Sequence, residues 1–332
     1  MQVAVLHDVV SREDAGPDQT DVLVQAESVS AALRELGYDP ITISASLDFS
    51  ALTRTLKDLR PSFIFNLVES VEGHGRLIYL PPAIFDCLRI PYTGAGTDAI
   101  YLTTNKPAAK KALAGCSIKT PHYYSEKTFE RAPGFLPGLY IVKAVWEHAS
   151  IGLDEESVIT AEDPSDLLAR IREMEARLGT DCFAESYVEG REFNLSVLAG
   201  EKGPQVLPPA EIRFESYPEG MRRIVGYRAK WLENSFEYLH TNRSFDFPAP
   251  DDALLQSLAE IAARCWNLFD LRGYARVDFR VDAEGIPWVL EVNANPCLSP
   301  DAGFAAAAKR AGLSFTGVVE RIIQDTEGLK KS

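Results

Sequence analysis

The chain has 332 residues, 46% hydrophobic and 25% charged, ordinary values for a soluble globular protein with room for two or three subdomains. A formal charge of −14 argues against nucleic acid or an anionic membrane surface as the main partner, yet allows a locally basic nucleotide pocket. Five cysteines without C-x-x-C spacing indicate neither a disulfide framework nor a zinc site, and four read as small buried hydrophobes.

Residues 2–7 read as a strand, not as a charged lead into a long apolar run. No stretch approaches membrane-spanning length, so a reduced, cytoplasmic protein is expected. A helix-period segment over 21–36 ends at Gly37, a residue suited to a helix C-terminus. A strand over 41–43, a helix over 51–59 and an apolar strand over 62–68 complete a βαβαβ beginning. That order predicts an open parallel sheet with ligands beyond its strand C-termini. Asn66, Glu69 and Glu72 stand at that edge, as ligand contacts or as ordinary strand-end caps. Pro91-Tyr-Thr-Gly94-Ala-Gly96 lacks the third glycine of a dinucleotide fingerprint and lies at the wrong end of the βαβ unit.

A helix over 106–114 leads into strands over 139–144, 157–160 and 182–188, with one charged helix over 164–178. This is the pattern of a small α+β unit. Strands over 193–199 and 206–212 open a third region. The polar stretch over about 213–244 is long for a loop inside a compact domain and reads as a lid. A helix over 253–268 and a hairpin close the region, and no internal repeat is present.

That hairpin is Arg276-Val-Asp278-Phe-Arg280, the turn Asp282-Ala-Glu-Gly285, and Glu291-Val-Asn293-Ala-Asn295-Pro296. If Val281 pairs with Ile286, Val277 and Phe279 face the apolar side with Trp288, Leu290 and Val292. Arg276, Asp278, Glu291 and Asn293 then share the opposite face. Two carboxylates and an amide oxygen on a rigid scaffold suit Mg²⁺ that keeps ligands for a phosphate. The competing reading is the solvated face of an amphipathic hairpin. Lys143 ends an apolar strand and precedes Glu147-His-Ala-Ser150-Ile-Gly152. This reads as a cradle for phosphates or as a solvated strand-end lysine, the commoner case for such a residue alone. Backbone groups after Glu185 could pair with an adenine edge, Glu192 could accept from ribose hydroxyls, and Lys230 lies in the lid. Arg222, Arg223 and Arg228 hint at an acidic substrate, though solvated charge is the preferred reading of all three.

Taken in order, these blocks resemble the D-alanine–D-alanine ligase branch of the ATP-grasp carboxylate–amine ligases. The resemblance spans about 62–324 and is carried by Phe65-Asn-Leu-Val-Glu69, Ile90-Pro-Tyr-Thr-Gly94, Asn105-Lys106 and Tyr140-Ile-Val-Lys143. It continues through 185–193, Ala275-Arg-Val-Asp-Phe279, Leu290-Glu-Val-Asn-Ala-Asn-Pro296 and Ala311-Gly-Leu-Ser-Phe315. The resemblance implies an α/β and α+β multidomain ATP-grasp fold. Its parts would be a pre-ATP-grasp domain over 1–102, a central subdomain over 103–188, and a C-terminal subdomain over 189–332.

The resemblance also implies roles. Lys106 and Lys143 would contact the α- and β-phosphates, with Ser150 in the adjoining loop. Glu185, Ser186, Tyr187 and Val188 would meet the adenine, Glu192 the ribose, and Lys230 the terminal phosphate. Asp278, Glu291 and Asn293 would hold two Mg²⁺ ions, replaceable by Mn²⁺, and Arg276 would stabilise an oxyanion. Asn66, Glu69, Glu72, Cys297 and Ser299 would line the substrate site. The implied reaction joins amino-acid-type substrates through an acylphosphate, releasing ADP and phosphate. Small-molecule substrates are the expected partners, without nucleic acid or membrane, and a homodimer is allowed.

The departures concentrate at the substrate end. Leu6-His7-Asp8-Val-Val-Ser-Arg-Glu13-Asp replaces the family's Gly-rich segment, Ala149-Ser150 its Ser-Ser pair, and Trp231 the tyrosine after the lid lysine. Cys297 replaces the glycine whose N–H helps form the oxyanion hole, and packing is preferred to a catalytic thiol. The pattern predicts a ligase with an intact nucleotide site and a diverged amino-acid site. A genuine D-alanine–D-alanine ligase and a catalytically silent nucleotide-binding regulatory protein are the alternatives.

Overall fold

A computed structural model describes residues 1–10, 16–127, 135–147, 150 and 152–326. The first third contains β1 (Gln2–Asp8), α1 (Pro17–Glu35), β2 (Asp39–Ala45), α2 (Phe49–Leu59), β3 (Ile64–Asn66), α3 (Leu80–Leu88), α4 (Thr97–Thr104) and α5 (Lys106–Gly115). Its three strands are parallel in the order β2-β1-β3, the expected open sheet. α1 covers the face carrying Val3, Val5, Phe63 and Phe65, and α2 covers Ala4, Leu6 and Ile64 on the other. The strand order therefore reverses beside β1, and the cleft opens where Asp8 and Asn66 end their strands.

The middle third forms an antiparallel sheet in the order β4-β7-β5-β6. These strands are β4 (Tyr123–Tyr124), β5 (Gly138–Ala144), β6 (Val158–Ala161) and β7 (Cys182–Ser186), with α6 (Pro164–Leu178) against one side. α6 has the limits expected from its local chemistry. Asp163 caps it in a box with Asp166, Pro164 opens it, and Gly179 ends it in the left-handed region at φ 67°.

The last third contains β8 (Arg191–Leu198), β9 (Gln205–Val206), β10 (Ala210–Phe214), α7 (Tyr227–Trp231), α8 (Phe236–His240), β11 (Thr241–Ser244) and α9 (Asp252–Leu268). β12 (Tyr274–Val281), β13 (Pro287–Asn293), α10 (Gly303–Arg310) and α11 (Phe315–Gln324) complete it. Its main sheet runs β11-β10-β8-β12-β13, with β9 also on β8. Pro208 and Pro209, lacking N–H donors, break the single strand expected over 206–212 into β9 and β10. The lid stretch holds α7, α8 and β11, so it is structured. α10 and α11 return to the first sheet, where Phe304, Val318 and Ile322 share a core with Val3 and Phe65.

Two expectations need correction. Cys182 and Cys265 are buried, but Cys87 and Cys116 are exposed. The hairpin register also differs from the expected one. Val281 faces Pro287, and a bulge falls between Asp278 and Phe279, which face Glu291 and Val289. Leu290 is the extra residue, so Val289 and Val292 are the fully buried side chains of β13 on the apolar side, while Trp288 and Leu290 are only half-buried. The bulge leaves the polar face intact while twisting the strand beneath it.

Candidate active site

Directly opposed residues of an antiparallel pair share a face. In β12 and β13 these are Asp278 with Glu291 and Arg276 with Asn293. β8 adds Asn194 opposite Asp278 and Glu192 opposite Arg280. Arg276 grips Asp278 through Nε and Nη2 at 2.8 and 2.9 Å, and Asn194 Nδ2 donates to Asp278 Oδ1 at 2.8 Å. Burial opposes the Arg276 charge, but Asp278 and then Glu291 outweigh it and raise its pKa. Among the described residues no group of three or more His, Cys, Asp or Glu could hold a metal. Two carboxylates and the Asn293 amide nevertheless share this face as a smaller oxygen set. Its hard oxygens fit an Mg²⁺ that takes its remaining ligands from phosphate and water.

The lysines expected at the phosphates lie on α5, β5 and α7. Lys106, at the start of α5, is buried and donates through Nζ to the Glu147 carbonyl. Lys143 Nζ lies 2.6 Å from Glu185 Oε1, and Lys110 Nζ lies 2.5 Å from Oε2. Lys110 and Glu185 are each 1% exposed. Burial lowers the Lys110 pKa despite Glu185. At Lys143 burial is outweighed by Glu185, Glu291 and Glu192, and the pKa rises. Glu185 is thus the shared counter-ion of Lys110 and Lys143. Lys110 went unrecognised in the sequence, although it lies four residues after Lys106, one helical turn on α5. Burial and then Arg276 lower the pKa of Lys230 on α7, against Glu291, Asp278 and Glu192.

The hinge after β7 is partly committed to the backbone. Ser186 and Tyr187 donate their N–H groups to His122 and Leu139 at 2.8 and 2.9 Å, so the expected base contacts of these two fall to carbonyls or side chains. Val188 is the first hinge residue beyond those bonds. Ser150 Oγ donates to the Val225 carbonyl at 3.0 Å, joining the loop after Lys143 to the lid. His148, Ala149 and Ile151 of that loop lie outside the described residues.

The substrate end gathers carboxylates. Asp8 accepts from the Glu69 N–H at 2.8 Å and the Ser70 hydroxyl at 2.6 Å. Glu69 accepts from Gln25 at 2.9 Å. Asp21 of α1 accepts from the Cys297 thiol at 2.9 Å and the Ser299 hydroxyl at 2.6 Å. Burial first, then Glu69 and Asp21, raise the Cys297 pKa, so the thiol stays protonated as a donor. Asn66 is buried and accepts from the Val68 N–H at 3.3 Å, a capping role. Glu72 accepts from the Leu47 N–H at 3.0 Å and braces the β2–α2 connection. Neither is placed as a ligand contact by these bonds. Asp21 and Gln25 carried no sequence signal, because their partners come from distant segments, whereas Asp8 belongs to the diverged segment. Ser11, Arg12, Glu13 and Asp14 of the diverged segment lie outside the described residues.

Burial pushes Glu69 up to about 7 and Asp8 up to about 6. A carboxyl whose folded pKa is raised stabilises fully below its unfolded pKa, and that contribution is lost as pH rises through the folded value. Glu69→Gln keeps the oxygen that Gln25 bonds and removes the titration. Its melting temperature should match the wild type at pH 4 and exceed it at pH 8. An equal or lower value at pH 8 would show that Glu69 is not strained when ionised.

An antiparallel sheet bearing the acidic face, a second antiparallel sheet carrying Lys143 and an N-terminal parallel sheet define the ATP-grasp architecture. The D-ala D-ala ligase C-terminus family matches residues 128–324. The D-alanine–D-alanine ligase of Pseudothermotoga lettingae is 30% identical over 328 residues, covering 98% of this chain and 99% of its own. That of Carboxydothermus hydrogenoformans is 30% identical over 319 residues, covering 92% and 93%. In fold, the chain is similar to the D-alanine–D-alanine ligase of Bacillus anthracis complexed with ATP. The TM-score is 0.72 at 20% identity, with 98% and 97% of the two chains covered. The chain belongs to the D-alanine–D-alanine ligase family of ATP-grasp enzymes, ligases that form carbon–nitrogen bonds.

Proposed function

We propose that this protein joins a carboxylate to an amine through an acylphosphate, on amino-acid-type substrates held in a diverged pocket. The observation that carries the reading is the pairing of Lys143 and Lys110 on the buried Glu185, together with Asp278 facing Glu291 across the hairpin. Cations from α5 and β5 beside two facing carboxylates suit a metal-bound polyphosphate. When bound, MgATP supplies the phosphoryl group and neutralises charge as it transfers.

The residues of the chain then divide the work. Asp278, Glu291 and Asn293 hold the metal, with Mn²⁺ as a substitute. Lys106 and Lys143 hold the inner phosphates, and Lys230, carried on the lid, holds the terminal one. Glu192 accepts from the ribose. The substrate carboxylate attacks the terminal phosphorus, and the bond to the ADP oxygen breaks. The amine nitrogen then attacks the acyl carbon, phosphate leaves, and the nitrogen loses a proton. Arg276 donates to the oxyanion of the tetrahedral intermediate. The lid over 213–244 excludes water from the acylphosphate. The carboxyl groups of Asp8, Asp21 and Glu69, with Cys297 and Ser299, supply polar contacts at the amino-acid end. The division at 102/103 and 188/189 assigns one of the three sheets to each part.

The relatives named above make D-alanine the first substrate to try. Phosphate and ADP release measured across amino-acid pairs should be amine-dependent with at least one pair. AMP and pyrophosphate as products would rule out the acylphosphate route. Tight MgATP binding without turnover on any pair would instead favour a silent regulatory protein. No helix among the described residues is long and apolar enough to cross a membrane. The cytoplasm remains the expected compartment.

A further inference from the structure

Arg280 has no part in the metal face or the phosphate lysines, yet it is 4% exposed and heavily bonded. It stands on the same face as Arg276 and Asp278, directly opposite Glu192. Its Nη2 lies 2.8 Å from Glu192 Oε2, and its Nη1 donates to the Gly190 carbonyl at 3.1 Å. Nη2 also donates to the Arg223 carbonyl in the lid. The guanidinium lies over the rings of Tyr187 and Phe214, 5.7 and 5.5 Å from their centroids. Fork geometry and ring stacking together call for arginine and not lysine.

The lid is held at this point twice, because the Tyr187 hydroxyl also donates to the Arg223 carbonyl at 3.2 Å. Further along, Ser150 bonds Val225, and the Tyr227 N–H donates to the Leu153 carbonyl at 3.0 Å. The segment over 223–227 thus runs as a strap from the hinge to the loop after Lys143. Gly190 permits the close approach. A Cβ there would lie 1.9 Å from the Val281 carbonyl oxygen, and its φ of 144° disfavours any other residue.

We propose that Arg280 is a positioning residue for ribose recognition, fixing the Glu192 carboxylate and the lid strap with a single side chain. The inference rests on the nucleotide reading above. Pairing Oε2 with Arg280 holds the Glu192 carboxylate and leaves Oε1 as the acceptor for a ribose hydroxyl. It also compensates a carboxylate that is 8% exposed and costly to leave unpaired. Because the same guanidinium grips Arg223, a correctly oriented ribose site exists only with the strap in place.

The test is equilibrium binding of MgATP and of Mg-2′,3′-dideoxy-ATP to the full chain, as wild type, Arg280→Met and Arg280→Lys. A hydrogen bond to a charged group is worth about ten-fold in affinity, so the wild type should prefer ATP by about that factor. Arg280→Met should lose most of the preference, weakening ATP about ten-fold and the dideoxy nucleotide less than about three-fold. Arg280→Lys should retain part of it. Equal weakening of both nucleotides, or an unchanged preference, would overturn the positioning role. Should Arg280→Met fail to fold, Arg280→Lys decides by the same comparison. Equal wild-type affinities would refute Glu192 as the ribose contact and the inference with it. Wild-type protein that binds neither nucleotide would refute the nucleotide reading itself.

Discussion

Glu291→Ala should reduce ligation at saturating MgATP by about a thousand-fold or more while leaving the fold intact. Metal-assisted charge neutralisation supplies several kcal/mol in phosphoryl transfer, and each 1.4 kcal/mol is a factor of ten. Glu291 faces Asp278 across the hairpin, so its loss leaves one carboxylate and one amide to hold the ion. Its side chain lies on the polar face, whereas the hairpin is anchored by the fully buried Val277, Phe279 and Val292. Circular dichroism and the melting temperature should therefore stay close to wild type. Retained turnover would refute the metal assignment, and an unfolded variant would show that the carboxylate is structural.

Glu185→Ala should act in the opposite sense, on stability first. Removing one partner from a buried ion pair costs about 3–5 kcal/mol, because the remaining charge is left without compensation. Here two lysines lose their shared counter-ion, and Lys110 is 1% exposed. Burial tends to raise the Glu185 pKa, but Lys110 and then Lys143 outweigh it and hold the carboxyl below its ordinary range. For a lowered pKa the stabilisation is complete above the unfolded value and is lost as pH falls through the folded one. The deficit of the variant in denaturant unfolding should therefore be full at neutral pH and shrink below the ordinary carboxylate range. A variant of wild-type stability at pH 7 would show that the pair contributes no net energy.

Much of this site was legible before any coordinates. Alternation along residues 276–280 puts Arg276, Asp278 and Arg280 on one face whatever the partner strand does, since strand side chains alternate by covalent geometry. Capping is equally local, and Asn105 and Asp163 begin their helices through bonds within three residues. The partner register was misread, because a bulge depends on how two strands twist together and leaves no mark in a single strand. That Glu185 pairs with two lysines was not legible for a similar reason. Its alternation is compatible with many partners, and Lys110 lies 75 positions earlier on a helix.

By itself, the sequence determined the opening βαβαβ order, the polar face of the final hairpin and the order of blocks that carries the family. Each of these depends on neighbours within a few residues or on motifs read in series. Only the tertiary structure decided which charges meet. It set Glu185 between Lys110 and Lys143, and Arg280 against Glu192. It also brought Asp21 to Ser299, which lies 278 positions away. Burial and pairing energies depend on which side chains share a volume, and chains fold back over hundreds of residues to make that choice.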